Sequence, residues 1–113
     1  MTNHSVGHEA EKVAAQYLKK MAFAILDLNW RTRFCEIDIV AESAGVIYFI
    51  EVKYRSTSSQ GGGLDYITAK KLKQMDFAAK CWVSENMYDG DYELSAIEVT
   101  QDFKVSDFIQ SIS

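Results

Sequence analysis

Ala10, Val13, Ala14, Tyr17, Leu18 and Met21 recur at the three- and four-residue spacing of a single helix face, which predicts an amphipathic helix over residues 6–21. Glu11 falls at the edge of that buried face, while Glu9, Lys12, Gln16 and Lys19 point toward water. From Phe23 to Ala41 the pattern changes to strands rich in Ile, Val, Phe and Trp. Val46 to Tyr54 reads as a third strand, with Ala44-Gly45 before it at hairpin spacing. A second helix is expected from Ile67 to about Glu85, with Leu72, Met75, Ala79 and Trp82 on one stripe. Tyr92 to Val99 alternates as another strand. Val105, Phe108, Ile109 and Ile112 predict a short closing helix with Ser106 as its N-cap. The order α-β-β-β-α-β, with a small terminal helix, places a mixed sheet between helices in an α/β class.

Composition narrows the picture. The 113 residues suit one domain, residues 1–113, with a flexible tail expected at residues 1–5 and a flexible loop at 56–63 around Gly61-Gly62-Gly63. A hydrophobic share of 48% and a charged share of 25% argue against disorder. No apolar run approaches the ~18–20 residues that cross a bilayer, so no membrane association is expected. No basic-then-apolar leader opens the chain and Cys35 and Cys81 are its two cysteines, so we expect a cytoplasmic protein with reduced thiols.

Charge changes the picture by its distribution. The net charge of −4 argues mildly against a nucleic-acid partner. Residues 53–80, however, hold six Lys or Arg against two acids, a local excess of +4, whereas residues 81–113 hold one Lys against seven acids. Arg55, Lys70, Lys71 and Lys73 are therefore candidates for phosphate contacts, and so, beside Trp30 at a strand end, are Arg31 and Arg33, the competing reading being ordinary solvated faces.

The strands carry the candidate chemistry. Alternation puts Glu36 and Asp38 on one face of the second strand, with Ile37, Ile39 and Ala41 opposite, and puts Glu51 and Lys53 together on the third. A hairpin closed by Ala44-Gly45 pairs Ser43 with Val46, which sets Asp38 across from Glu51 and Glu36 across from Lys53. Directly opposed Cβ atoms lie about 5 Å apart. Two carboxylates at that distance repel by roughly 3 kcal/mol at an effective dielectric near 20. Either one acid is protonated or a cation sits between them. Asp38 and Glu51 offer hard oxygens suited to Mg²⁺ or Mn²⁺, and Lys53 could steer water or stabilise phosphate charge. The competing reading is a solvated sheet face with a Glu36–Lys53 ion pair.

Asp38 followed by Glu51-Val52-Lys53 resembles the signature of the PD-(D/E)xK nuclease superfamily. Gly7 through Glu11, Asn29-Trp30-Arg31, Glu36-Ile37-Asp38, Phe49 through Lys53, then Ile67, Thr68, Lys71 and Ala79 are similar in kind and spacing to the YraN-type family of endonuclease-like proteins, relatives of archaeal Holliday junction resolvases. The resemblance implies a restriction-endonuclease-like fold and Mg²⁺-dependent cleavage of DNA. It would make Asp38 and Glu51 metal ligands and Lys53 the catalytic lysine. Glu11 would complete the acidic cluster, Glu36 would be the first acid of a Gly-Glu-Ile-Asp block, and a homodimer would be expected. The chain departs from that pattern at Cys35, where the block has glycine, and at Glu93-Leu94-Ser95, where it has Arg-Phe-Asp. The alternatives from other classes are a nucleic-acid-binding module without turnover and a protein-interaction domain using the acidic C-terminal third.

Overall fold

The computed structural model describes residues 3–55 and 67–112, with side chains from residue 6 onward. The loop expected at 56–63 lies outside the described residues. Seven elements follow one another: α1 (Asn3–Lys20), β1 (Ala24–Arg31), β2 (Glu36–Ser43), β3 (Val46–Tyr54), α2 (Ala69–Glu85), β4 (Asp91–Val99) and β5 (Val105–Ile109). The five strands form one mixed sheet in chain order. Its β1–β2, β2–β3 and β4–β5 pairs are antiparallel, and β3–β4 is parallel. A parallel pair needs a crossover, and α2 supplies it. This is the α/β layout expected, a mixed sheet flanked by helices, and its order is compatible with a nuclease-like core.

Each helix covers one face. Ala10, Ala14 and Leu18 of α1 bury against Ile39, Ala41, Ile50, Ile97 and Val99. Ala78, Ala79 and Trp82 of α2 bury against Val40, Ile47 and Phe49. Phe49 meets Trp82 edge-on at 5.5 Å between ring centroids. The indole N–H of Trp82 donates to the carboxylate of Asp27 at 2.9 Å, which satisfies a polar group that burial would otherwise leave unpaired. Thr68 accepts the backbone N–H of Lys71 and so caps α2. No described helix is long and apolar enough to cross a membrane.

The hairpin has the expected register, Ser43 against Val46, through to Ile39 against Ile50. Its two turn residues, Ala44 and Gly45, both take positive φ, 51° and 80°. That is the twist a two-residue hairpin demands, met here by an alanine where asparagine or glycine is usual.

Four expectations are corrected. Residues 105–112 do not close the chain as a helix. Val105–Ile109 is a strand, because the outer edge of β4 offers unpaired backbone groups and Val, Phe and Ile suit a pleated surface. Ser106 caps nothing; its hydroxyl donates to Glu98 at 2.8 Å. Residues 3–5 belong to α1 rather than to a tail. Ile37, expected on the face of Ile39, instead packs with Val40 and Phe49 beneath α2. The change of face comes where β2 loses β3 as a partner, past Ile39–Ile50, while Trp30 of β1 stays paired with Ile37.

Candidate functional site

The end of the β2–β3 ladder makes the site. Past Ile39–Ile50 the two strands cease to pair through their backbones, and the Asp38 carboxylate takes the backbone N–H of Val52 at 2.8 Å. A side chain thus replaces a ladder acceptor and is drawn into the gap between the strands. Asp38 and Glu51 both border a recess of about 10 Å³ beneath Met75 and Ala78 of α2, close to the volume of one water-sized sphere. This shared recess brings the two acids together.

Electrostatics extends the cluster. Burial pushes the Asp38 carboxyl from 3.8 up to about 7, and the charges of Glu51, Glu11 and Glu36 add to the rise, against the opposing pull of the Val52 hydrogen bond. Three acids from α1, β2 and β3 therefore act on Asp38, and a cation beside it would relieve that repulsion. Glu11 projects from α1 with its side chain 17% exposed, and its Oε1 is buried without a hydrogen-bond partner among the described residues. The His8 Nδ1 stands 3.9 Å from that atom. His8 held no evident role in the sequence, and its helical offset of three residues from Glu11 is the signal that could have found it.

The remaining candidates divide. Glu51 is held by the Lys71 ammonium at 2.9 Å, which joins Lys71 to the acid cluster. Lys53 is exposed, on the same side of β3 as Glu51 by alternation, and in register with Glu98 of β4. Glu36 does not pair with Lys53. It meets Arg31 at 3.4 Å across β1–β2, with both side chains well exposed. Arg55 does not reach an open surface. Its guanidinium is bonded to Glu98 with both side chains largely buried, which removes it from the candidate phosphate contacts. Arg31, Lys70, Lys71 and Lys73 border a groove of about 860 Å³ that also touches Glu36 and Glu51. Arg33 is exposed and lies over the Phe34 ring, 5.3 Å from its centroid.

Fit to a divalent cation can be tested on these donors. Among the described residues no three His, Cys, Asp or Glu side chains are grouped so as to enclose an ion unaided. Mg²⁺ asks for less: one or two carboxylates, with waters and substrate phosphate oxygens completing its shell. Asp38 and Glu51 meet that requirement, and the buried, unpartnered Glu11 oxygen lies within reach of the same field. The donor set fits.

The profile described as "Uncharacterised protein family UPF0102" matches residues 10–105. A UPF0102 protein of Vibrio parahaemolyticus is 30% identical over 112 residues, covering 97% of this chain and 93% of its own. One from Tropheryma whipplei is 36% identical over 107 residues, with 88% and 85% covered. One from Thermotoga maritima is 37% identical over 92 residues, with 81% and 83% covered.

Proposed function

The chain belongs to the UPF0102 family, and from its carboxylate cleft we propose that it is a metal-dependent endonuclease hydrolysing phosphodiester bonds of DNA. The observation that carries this reading is the single recess that Asp38 and Glu51 both border where the β2–β3 ladder opens, with Glu11 and Glu36 acting on Asp38.

Asp38 and Glu51 would hold Mg²⁺ or Mn²⁺, with Glu11 behind them. When bound, such an ion supplies positive charge at the scissile phosphate. The protein's own groups do the rest. Val52 fixes the Asp38 carboxylate through its backbone N–H. Lys53, exposed two residues beyond Glu51, is placed to orient an incoming water or to offset charge on the phosphate. Lys71 pairs with Glu51 and offsets its charge, the place an incoming cation would take. Lys70 and Lys73 attract the polymer from the adjoining helix face.

A second reading is a nucleic-acid-binding module without turnover, favoured by the Lys71–Glu51 pair, which already supplies one acid with a cation. Incubation with single-stranded, duplex, flap and four-way-junction DNA, in Mg²⁺ or Mn²⁺ and then in chelator, separates the two. Hydrolysis should require metal and should be lost in Asp38→Ala and Lys53→Ala. Cleavage surviving in both variants would signal a contaminant and sink the enzymatic reading. Binding in chelator with no cleavage in metal would favour the module.

A further inference from the structure

We propose that the groove beside the carboxylates receives an unpaired stretch of nucleic acid, whose bases stack on Phe34 and Phe77 while its phosphates lie against Lys70 and Lys73. The inference rests on the reading of the cleft as a phosphodiesterase site and adds to it the form of the substrate.

Phenylalanine is ordinarily among the most buried side chains. Here Phe34, in the β1–β2 turn, is 76% exposed, and Phe77, on α2, is 52% exposed. Both border the same groove of about 860 Å³, and so do Glu36 and Glu51 of the acid cluster. The Phe34 ring is held under the Arg33 guanidinium, 5.3 Å from its centroid, so a cation already lies against the aromatic. The groove's charges divide unequally. Glu36 is paired with Arg31 and Glu51 with Lys71. Lys70 and Lys73 have no ion pair among the described residues, which leaves the lining cationic in a chain whose net charge is −4.

These features select between forms of nucleic acid. A duplex presents phosphates and base edges, and its base faces are covered by their neighbours, so two exposed phenylalanines gain nothing from it. Its dense backbone charge also calls for more cations than this groove provides. A single strand offers bare base faces together with a sparser run of phosphates. Aromatic platforms flanked by a few cations are the usual means of holding it, and they tolerate any sequence because every base has a stacking face. The acids bordering the groove then meet a backbone held by bases that are already splayed out.

The test is fluorescence anisotropy in chelator, where nothing is cut, with a labelled twelve-nucleotide DNA strand, the same sequence as RNA, and the corresponding DNA duplex. Wild type should bind the single strands more tightly than the duplex, the two single-strand arms ranking DNA against RNA. Phe34→Ala and Phe77→Ala should each weaken single-strand binding by roughly 5- to 150-fold, with duplex binding within about twofold of wild type. Phe34→Trp should retain binding, and its emission should be quenched by the strand. Both positions are exposed, so circular dichroism should show unchanged folding. Single-strand binding unaltered in both alanine variants would overturn the inference, as would a wild-type dimer that Phe34→Ala converts to monomer with DNA binding intact. Binding lost in the phenylalanine variants, in a protein that never cleaves with metal, would uphold the groove and remove the hydrolytic reading. Wild type binding no nucleic acid would remove both.

Discussion

Replacing Asp38 with asparagine isolates the electrostatic cost of the cleft. Asparagine has nearly the same shape and retains an oxygen to accept the Val52 N–H, but it carries no charge. An aspartate moved from 3.8 to about 7 has its ionised form disfavoured by about 4 kcal/mol inside the fold. The folded protein therefore holds this proton to a higher pH than the unfolded chain does. Stability contributed by the group is complete below about pH 4, declines as the pH rises toward 7, and is flat above. Asp38→Asn escapes that decline. In chelator at pH 8 it should be more stable than wild type by about 4 kcal/mol, a gain of roughly 15 °C in Tm for a domain of this length. The advantage should vanish toward pH 4. Urea unfolding followed by tryptophan fluorescence, in half-unit steps from pH 4 to 8, measures it. Added Mg²⁺ should raise the wild-type midpoint and leave the variant's unmoved. A variant no more stable than wild type at pH 8, or an advantage that does not change with pH, would refute the account of Asp38 as a desolvated carboxyl among like charges.

Three further outcomes follow from other contacts. Lys71→Met removes the ammonium that competes for Glu51, so Mn²⁺ affinity measured by electron paramagnetic resonance should rise about fivefold, and weaker binding would contradict that competition. Arg55→Leu leaves the largely buried Glu98 carboxylate its Ser106 hydrogen bond but no guanidinium, and should cost about 3 kcal/mol in urea unfolding, while binding to single-stranded DNA in chelator stays unchanged. Ala44→Asn places a residue tolerant of positive φ in the hairpin turn and should stabilise by about 1 kcal/mol, read as a higher urea midpoint at constant slope.

The hairpin was legible because its pattern has a period of two and a two-residue turn, and those fix the register that brings Asp38 toward Glu51. The helix faces were legible for a similar reason, since Ala10, Ala14 and Leu18 on one helix and Ala79 and Trp82 on the other obey a single period. β5 was not, because its apolar residues satisfy helical spacing as well as a short strand, and what decides between them is the open edge of β4. Arg55 and Glu98, or Lys71 and Glu51, are distant in sequence, and only the packing of separate elements makes them partners. The exposure of Phe34 is likewise invisible in a sequence, where a phenylalanine beside a strand reads as core. The departure of Ile37 from its expected face comes where β2 keeps β1 but has lost β3 as a partner, a change of pairing that strict alternation does not register.

Asp38 and Glu51 come from the two arms of one hairpin, but Glu11 joins them only when α1 has docked on the sheet. An emerging or heat-opened chain holds the same acids dispersed in water. Whatever chemistry the cleft performs is thereby confined to molecules that have finished folding, and a damaged copy falls silent instead of acting indiscriminately.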